Sequence, residues 1–120
     1  MRKIEQQMNR AIANKADWMV DSKYSNTSVE YNSNTKCSTV TLYNTEIATF
    51  DHNLRAVKLN SGGYTTNTTK SRLNAILSEV KYGCSVFQKN WNWYVSFRGQ
   101  TQSFIDGMIL IDANHLEVAI

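Results

Sequence analysis

The feature that most restricts the fold is a series of short segments in which apolar and polar residues alternate, each closed by Asn, Asp, Ser or Gly. A period of two places successive side chains on opposite faces of a β-strand, and polar turn residues between such strands favour hairpins. The pattern predicts an antiparallel β-meander over residues 28–60. Its predicted strands lie at residues 29–31, 38–43, 46–50 and 56–59.

Two other segments have helical spacing. Residues 1–20 are predicted to form an amphipathic N-terminal helix, which either packs on its own sheet or offers a surface to a partner. Residues 66–82 are predicted to form a central helix that ends at Gly83. Its apolar positions are Leu73, Ile76, Leu77 and Val80. With a β-hairpin and a final strand over residues 84–111, the order predicts a single α+β domain, in which the helices pack on one side of an antiparallel sheet.

Composition excludes several classes of protein. The 120 residues carry a formal net charge of +3, from 13 basic and 10 acidic residues, which is too balanced for the basic stripe of a duplex nucleic-acid binder. The N-terminus is polar and long apolar runs are absent, so we expect neither a secretory signal nor a membrane span. Cys37 and Cys84 stand outside any CxxC pair, so we expect buried thiols, no metal and no cofactor.

Residues 91–98 form the first candidate site. As a strand they send Trp93, Val95 and Phe97 to the core, whereas the opposite face carries an amide for a base edge, a ring for stacking and a guanidinium for phosphate. These three groups belong to Asn92, Tyr94 and Arg98. The combination suits a nucleotide, and the alternative is an ordinary polar face exposed to solvent.

Residues 62–72 form a second candidate, in which a glycine pair and several hydroxyl residues lead into a helix start bearing Lys70 and Arg72. Free amides and the helix dipole attract anions at such a start. The spacing of a P-loop is absent. The alternative is a set of helix caps followed by solvated cations.

Catalytic groups are sparse. His52 and His115 have no neighbouring partner that resembles a nucleophile or metal motif, and the carboxylates at Asp51, Asp106 and Asp112 adjoin turn residues, where they typically cap the backbone. We therefore expect a protein that is not an enzyme.

Several motifs resemble those of small bacteriophage proteins. They are the Gly62-Gly63-Tyr64-Thr65-Thr66 segment leading into Lys70-Ser71-Arg72-Leu73-Asn74, then Val86-Phe87-Gln88-Lys89, Trp93-Tyr94-Val95 and Phe104-Ile105-Asp106-Gly107-Met108. Together with the opening helix around Met8-Asn9-Arg10-Ala11-Ile12, the whole chain resembles the first type of anti-Thoeris sponge. Members of that family sequester cyclic ADP-ribose isomers made by bacterial immune enzymes, and they have been linked to cyclic oligonucleotides.

The resemblance implies a homo-oligomer that works in the host bacterial cytoplasm, with dimers that assemble into a hexamer and hold the ligand between subunits without degrading it. It implies that Tyr82 stacks on a base and that Asn92 supplies an amide. It also predicts arginines at two positions that are uncharged here, Ser28 and Ile109. We therefore expect the phosphate contacts to come from nearby cations, and further aromatic residues to line the pocket. These residues are Arg98, Lys89, Arg72 and Lys70 for phosphate, and Trp91, Tyr94, Phe87 and Phe104 for the lining.

Two other functions fit the sequence. Aromatic rings on a sheet beside Lys and Arg are typical of single-stranded nucleic-acid binding. A phage protein could also inhibit a host enzyme by direct contact through the N-terminal helix.

Overall fold

The computed structural model describes residues 1–20, 26–80, 84–97, 99–111 and 115–118, and over these ranges the chain forms two α-helices and ten β-strands. The helices are α1 (Lys3–Ala13) and α2 (Asn67–Val80). The strands are β1 (Trp18–Met19), β2 (Thr27–Asn32), β3 (Cys37–Leu42), β4 (Thr45–Asp51), β5 (Ala56–Leu59), β6 (Cys84–Lys89), β7 (Asn92–Phe97), β8 (Gln100–Ser103), β9 (Met108–Ile111) and β10 (His115–Val118). The α+β class predicted from the sequence is confirmed.

The larger sheet contains the predicted meander. Its seven strands are ordered β1-β2-β3-β4-β5-β9-β10, and every pair is antiparallel. Val29, Val40, Ala48 and Leu59 lie in one register row and are all buried, so the alternation in the sequence marks the core face of this sheet.

A second sheet, ordered β6-β7-β8, departs from the single sheet that we expected. Helix α2 carries the chain away from β5 before β6 begins, and the Asn74 side chain of α2 then bonds to both backbone groups of Val86 in β6. Asn74 Nδ2 donates to Val86 O at 2.9 Å, and Val86 N donates to Asn74 Oδ1 at 2.7 Å. The backbone N–H and C=O of Val86 are therefore bonded to helix α2, so a further strand could not pair with β6 at this residue.

Helix α1 is shorter than predicted, because it ends at Ala13 in a Schellman motif. Lys15 has φ 53°, Lys15 N donates to Ile12 O at 3.2 Å, and Ala16 N donates to Ala11 O at 3.0 Å. The chain then reverses, and Trp18–Met19 pairs with β2 as a short edge strand, where we had expected helix. Among the described residues, no helix is long and apolar enough to cross a membrane.

One core joins both helices and both sheets. Met8 and Ile12 of α1 are buried in it, so this helix packs on its own domain. Leu73, Ile76 and Leu77 of α2 are buried as predicted, and so are the three core residues expected in β7, namely Trp93, Val95 and Phe97. Cys37 and Cys84 form no disulfide with each other, and only Cys84 is buried, whereas Cys37 is half-buried.

Candidate ligand-binding groove

Four of the predicted site residues meet in a groove of about 580 Å³ beside the small sheet. They are Trp91, Asn92, Tyr94 and Phe104. The β6–β7 turn and strand β7 form one wall, and the loop after β5 and the segment between β8 and β9 form the other. The remaining lining residues are Ser61, Thr65, Trp93, Ser103 and Asp106. The volume falls within the range of about 300–1,000 Å³ that is common for small-molecule sites.

Trp91 stands at the mouth of the groove, in the two-residue turn between β6 and β7. Asn90 and Trp91 have φ values of 51° and 69°, the pattern of a type I′ turn, in which Asn-Gly is the preferred pair. A residue with a Cβ loses about 1–2 kcal/mol in this left-handed conformation. The Trp91 side chain is 90% exposed, so packing within the domain does not offset that cost.

The inner wall of the groove is an aromatic pair. The rings of Trp93 and Phe104 meet edge to face, with centroids 5.4 Å apart and planes at 83°, and Phe104 N donates to Trp93 O at 3.0 Å. Trp93 is only 6% exposed, and its indole Nε1–H finds no acceptor among the described residues. Buried indole donors usually have a partner, so this N–H is an exception among the described side chains.

Of the three groups predicted for the outer face of β7, the structure describes Asn92 and Tyr94. Tyr94 stacks on Phe87 across the β6–β7 pair, with centroids 5.5 Å apart and planes at 25°. Asn92 is exposed and lies opposite Lys89, which is also exposed. An amide, a stacked ring and an ammonium group therefore lie along one hairpin.

Asp106 brings an acidic group to the opposite wall, where its Oδ1 accepts from the backbone N and the hydroxyl of Ser61, both at 2.8 Å. These bonds confirm the backbone-capping role that we expected for Asp106, and they hold the loop after β5 against the groove. The described residues that line the groove include no cation, so a phosphate would have to be held at its rim.

Two predicted phosphate ligands lie elsewhere. Lys70 is half-buried in the first turn of α2 and does not line the groove. Arg72 is 3% exposed, and its Nη1 pairs with Glu5 Oε2 at 2.8 Å while its Nε donates to Thr27 Oγ1 at 3.1 Å. Its guanidinium is thus used inside the fold, joining α1, α2 and β2.

The Glu5 carboxylate depends on the same contacts. Burial alone would raise the pKa of Glu5, but hydrogen bonds from Ser71, at 2.6 Å, and from Arg72 lower this pKa on balance. Glu5 and Arg72 therefore form a buried ion pair with additional hydrogen bonds, the arrangement that such pairs require.

Tyr82 and Arg98 lie outside the described residues, as do the expected C-cap Gly83 and the carboxylate Asp112. Ser28 and Ile109 are half-buried strand residues. Ile109 pairs with Lys58 of the adjacent strand β5, and Lys58 is exposed. A cation therefore stands next to one of the positions where the resemblance predicts an arginine.

His52 has a partner that the sequence did not reveal, since Ser38 Oγ lies 2.8 Å from its Nε2. Burial lowers the pKa of His52, and the nearby charges of Lys15 and Arg55 lower it further, against the opposite effect of Asp51. Ser38 is fully buried, so a solute cannot reach its hydroxyl group.

Asp51 caps the turn after β4, as we predicted, by accepting from the backbone N of Asn53 and Leu54. Over the described ranges, no three His, Cys, Asp or Glu residues are placed to hold a metal ion.

Sequence reasoning missed the far wall of the groove. Ser103 carries no local signal, and Thr65 was assigned to the separate candidate at residues 62–72 rather than to this groove. Trp93 was assigned to the core alone, yet it also lines the groove. The contact between Ser61 and Asp106 joins two distant loops and has no spacing rule that could reveal it.

Comparison with known proteins identifies the origin of the chain. No curated protein and no solved structure matches it. A family model described as Kyanoviridae Gp96 protein matches residues 1–111. This match covers most of the chain and confirms the phage origin that the resemblance implied. The chain belongs to the Kyanoviridae Gp96 protein family, a family of phage proteins.

Proposed function

We propose that this phage protein binds a cyclic nucleotide signal in the groove beside the small sheet and sequesters it without degrading it. Trp91 carries the proposal, because its almost fully exposed indole occupies a strained turn position where glycine would suit the fold better. A structural cost without compensating contacts within the domain is typical of functional positions.

Different residues of the groove would contact different parts of such a ligand. Trp91 and Tyr94 offer rings for stacking on a base, and Asn92 offers an amide for its hydrogen-bonding edge. Lys89, at the end of the hairpin, is the described cation best placed to approach a phosphate at the rim.

The ligand class comes from the resemblance to anti-Thoeris sponges, which favours a cyclic ADP-ribose isomer or a cyclic oligonucleotide. A sponge has to outcompete a sensor, and nanomolar affinity requires about 12 kcal/mol. Stacking supplies about 1–3 kcal/mol per base, so one open groove falls short. We therefore propose that a second subunit of a homo-oligomer closes the groove around the ligand.

The fate of the ligand tests the proposal. Purified protein is incubated with cyclic ADP-ribose isomers and cyclic oligonucleotides in separate samples, desalted and heated, and the released molecule is identified by mass spectrometry. We expect one class to be retained and recovered intact. Recovery of a cleaved product would indicate an enzyme. If the protein retains none of the compounds, the proposed ligand class is wrong.

Single-stranded nucleic-acid binding is the second candidate, favoured by the exposed Trp91 ring and the stacked Phe87 and Tyr94 rings on one sheet. Titration with a short oligonucleotide at several salt concentrations separates the two functions. Affinity that falls steeply with salt and grows with oligonucleotide length favours this candidate over the sponge.

A further inference from the structure

A second cavity, of about 380 Å³, lies on the other side of the loop that follows β5. It is bordered by the β3–β4 turn, that loop and the first turn of α2, and it shares only Ser61 with the groove. Its buried apolar residues are Leu42 and Ile47, and two tyrosines, Tyr43 and Tyr64, contribute aromatic rings. The proposed function does not use this cavity.

Tyr43 repeats the situation of Trp91 at a different hairpin. Tyr43 and Asn44 have φ values of 49° and 65°, so Tyr43 is a bulky residue at a strained position of a type I′ turn. Its backbone N donates to Asn26 O at 2.8 Å, which fixes the start of the turn. The side chain is nevertheless 69% exposed. The fold holds this ring in place while leaving most of it open to solvent.

Tyr64 is presented by a loop with a dense set of hydrogen bonds. Tyr64 N donates to Ser61 O at 3.0 Å, Gly62 N donates to Asn60 Oδ1 at 2.9 Å, and Gly63 N donates to Ser61 Oγ at 3.1 Å. Gly62 has φ 65°, and a Cβ at this position would collide with the methyl group of Thr45. The loop is thus fixed against the β3–β4 hairpin, yet the Tyr64 side chain is 65% exposed.

We propose that this cavity binds a neutral, planar heteroaromatic ring of nucleobase type between Tyr43 and Tyr64. The apolar residues and the two tyrosine rings suit the faces of such a ring. The hydroxyl groups of Thr45 and Thr68, which also line the cavity, suit its heteroatoms. The lining residues include no charged side chain, so a phosphate or carboxylate inside the cavity would lose its hydration without a counter-charge.

Adenosine is a suitable probe because it carries the ring without a phosphate. In a titration followed by NMR of backbone amides, we expect saturable shifts at Thr45, Gly62 and Tyr64. Tyr64→Ala should weaken this binding about fivefold or more, the effect of losing one stacking partner. Because Tyr64 is exposed, its replacement should leave the fold intact, which the remaining amide spectrum checks. Trp91→Ala is the matched control and should change the affinity at this cavity by less than twofold.

Four outcomes would overturn the proposal. One is the absence of saturable shifts up to the solubility limit of adenosine, and another is unchanged affinity in Tyr64→Ala. The third is a response of the same amides to N-acetyl-phenylalaninamide but not to adenosine, which would assign the cavity to a side chain of a protein partner. Shifts confined to Asn92 and Tyr94 and lost in Trp91→Ala would place adenosine in the groove, so they would support the proposed function and reject this one.

Discussion

Arg72 and Trp91 differ in what their side chains contribute to the fold. Arg72, a predicted phosphate ligand, is buried against Glu5 and Thr27, so its charge serves the fold. Trp91 is exposed in a strained turn, so its ring does little for the fold. The sequence could identify Asn92 from its strand position, and Trp91 as an aromatic residue next to it. It could not reveal the partner of Arg72, because Glu5 is distant in the chain and no local spacing links the two residues.

The Glu5–Arg72 pair leads to a prediction about stability. Glu5→Gln leaves a buried guanidinium without its counter-charge and should lower the free energy of unfolding by about 3–5 kcal/mol at neutral pH. Urea denaturation measures this loss. The double variant Glu5→Leu with Arg72→Leu is the control, and it should recover much of the loss because no uncompensated charge remains.

The same pair should respond to acid. The pKa of Glu5 is lower in the folded state than in the unfolded chain. The stabilising effect of the Glu5 carboxylate is therefore complete above its ordinary pKa of about 4.3, and it is lost as the pH falls through the lower pKa of the folded state. Denaturation curves at several pH values should therefore converge for the wild type and Glu5→Gln as the pH falls. A constant difference between the two proteins down to acidic pH would contradict this account.

At the scale of elements, apolar periodicity predicted the meander and both helices, but it could not predict strands that lack it. Strand β8 consists of Gln100, Thr101, Gln102 and Ser103, without an apolar residue to mark a core face. Strand β1 is only two residues long, and it follows a Schellman motif whose left-handed residue is Lys15 rather than glycine. These elements depend on pairing with neighbours, which is a tertiary property.

Asn74 joins helix α2 to strand β6, and we expect the placement of the small sheet to depend on this contact. Asn74→Leu removes both bonds to the Val86 backbone and should lower the free energy of unfolding by about 1–3 kcal/mol. Hydrogen exchange at the Val86 amide should become faster. Ser78→Ala, at an exposed position of the same helix, is the control: it removes only a local bond within the helix, from Ser78 Oγ to Ala75 O at 2.7 Å, and should change stability by no more than about 0.5 kcal/mol. Equal effects of the two variants would show that Asn74 does not hold the sheet.

At the scale of the whole molecule, two sheets and two helices share one core, and the groove lies between strand β7 and distant loops. The strand pattern indicated Asn92 and Tyr94 of the groove, whereas Trp91 and Phe104 were expected as aromatic residues that line the pocket. The opposite wall, with Ser61 and Asp106, arises only when β9 returns to pair with β5 and brings distant loops together. The family match extends over most of this architecture, to residue 111.

On the proposed function, Trp91 is kept for binding at a cost to the fold, and Trp91→Gly tests this most directly. The substitution creates the Asn-Gly pair that a type I′ turn prefers. Scanning calorimetry, together with titration calorimetry against cyclic ADP-ribose and its isomers, measures both consequences on the same protein. We expect unfolding stability to rise by about 0.5–1 kcal/mol while affinity falls about fivefold or more. A variant that melts at a lower temperature than the wild type, or that binds the ligand equally well, would show that Trp91 is not kept for binding at a cost to the fold.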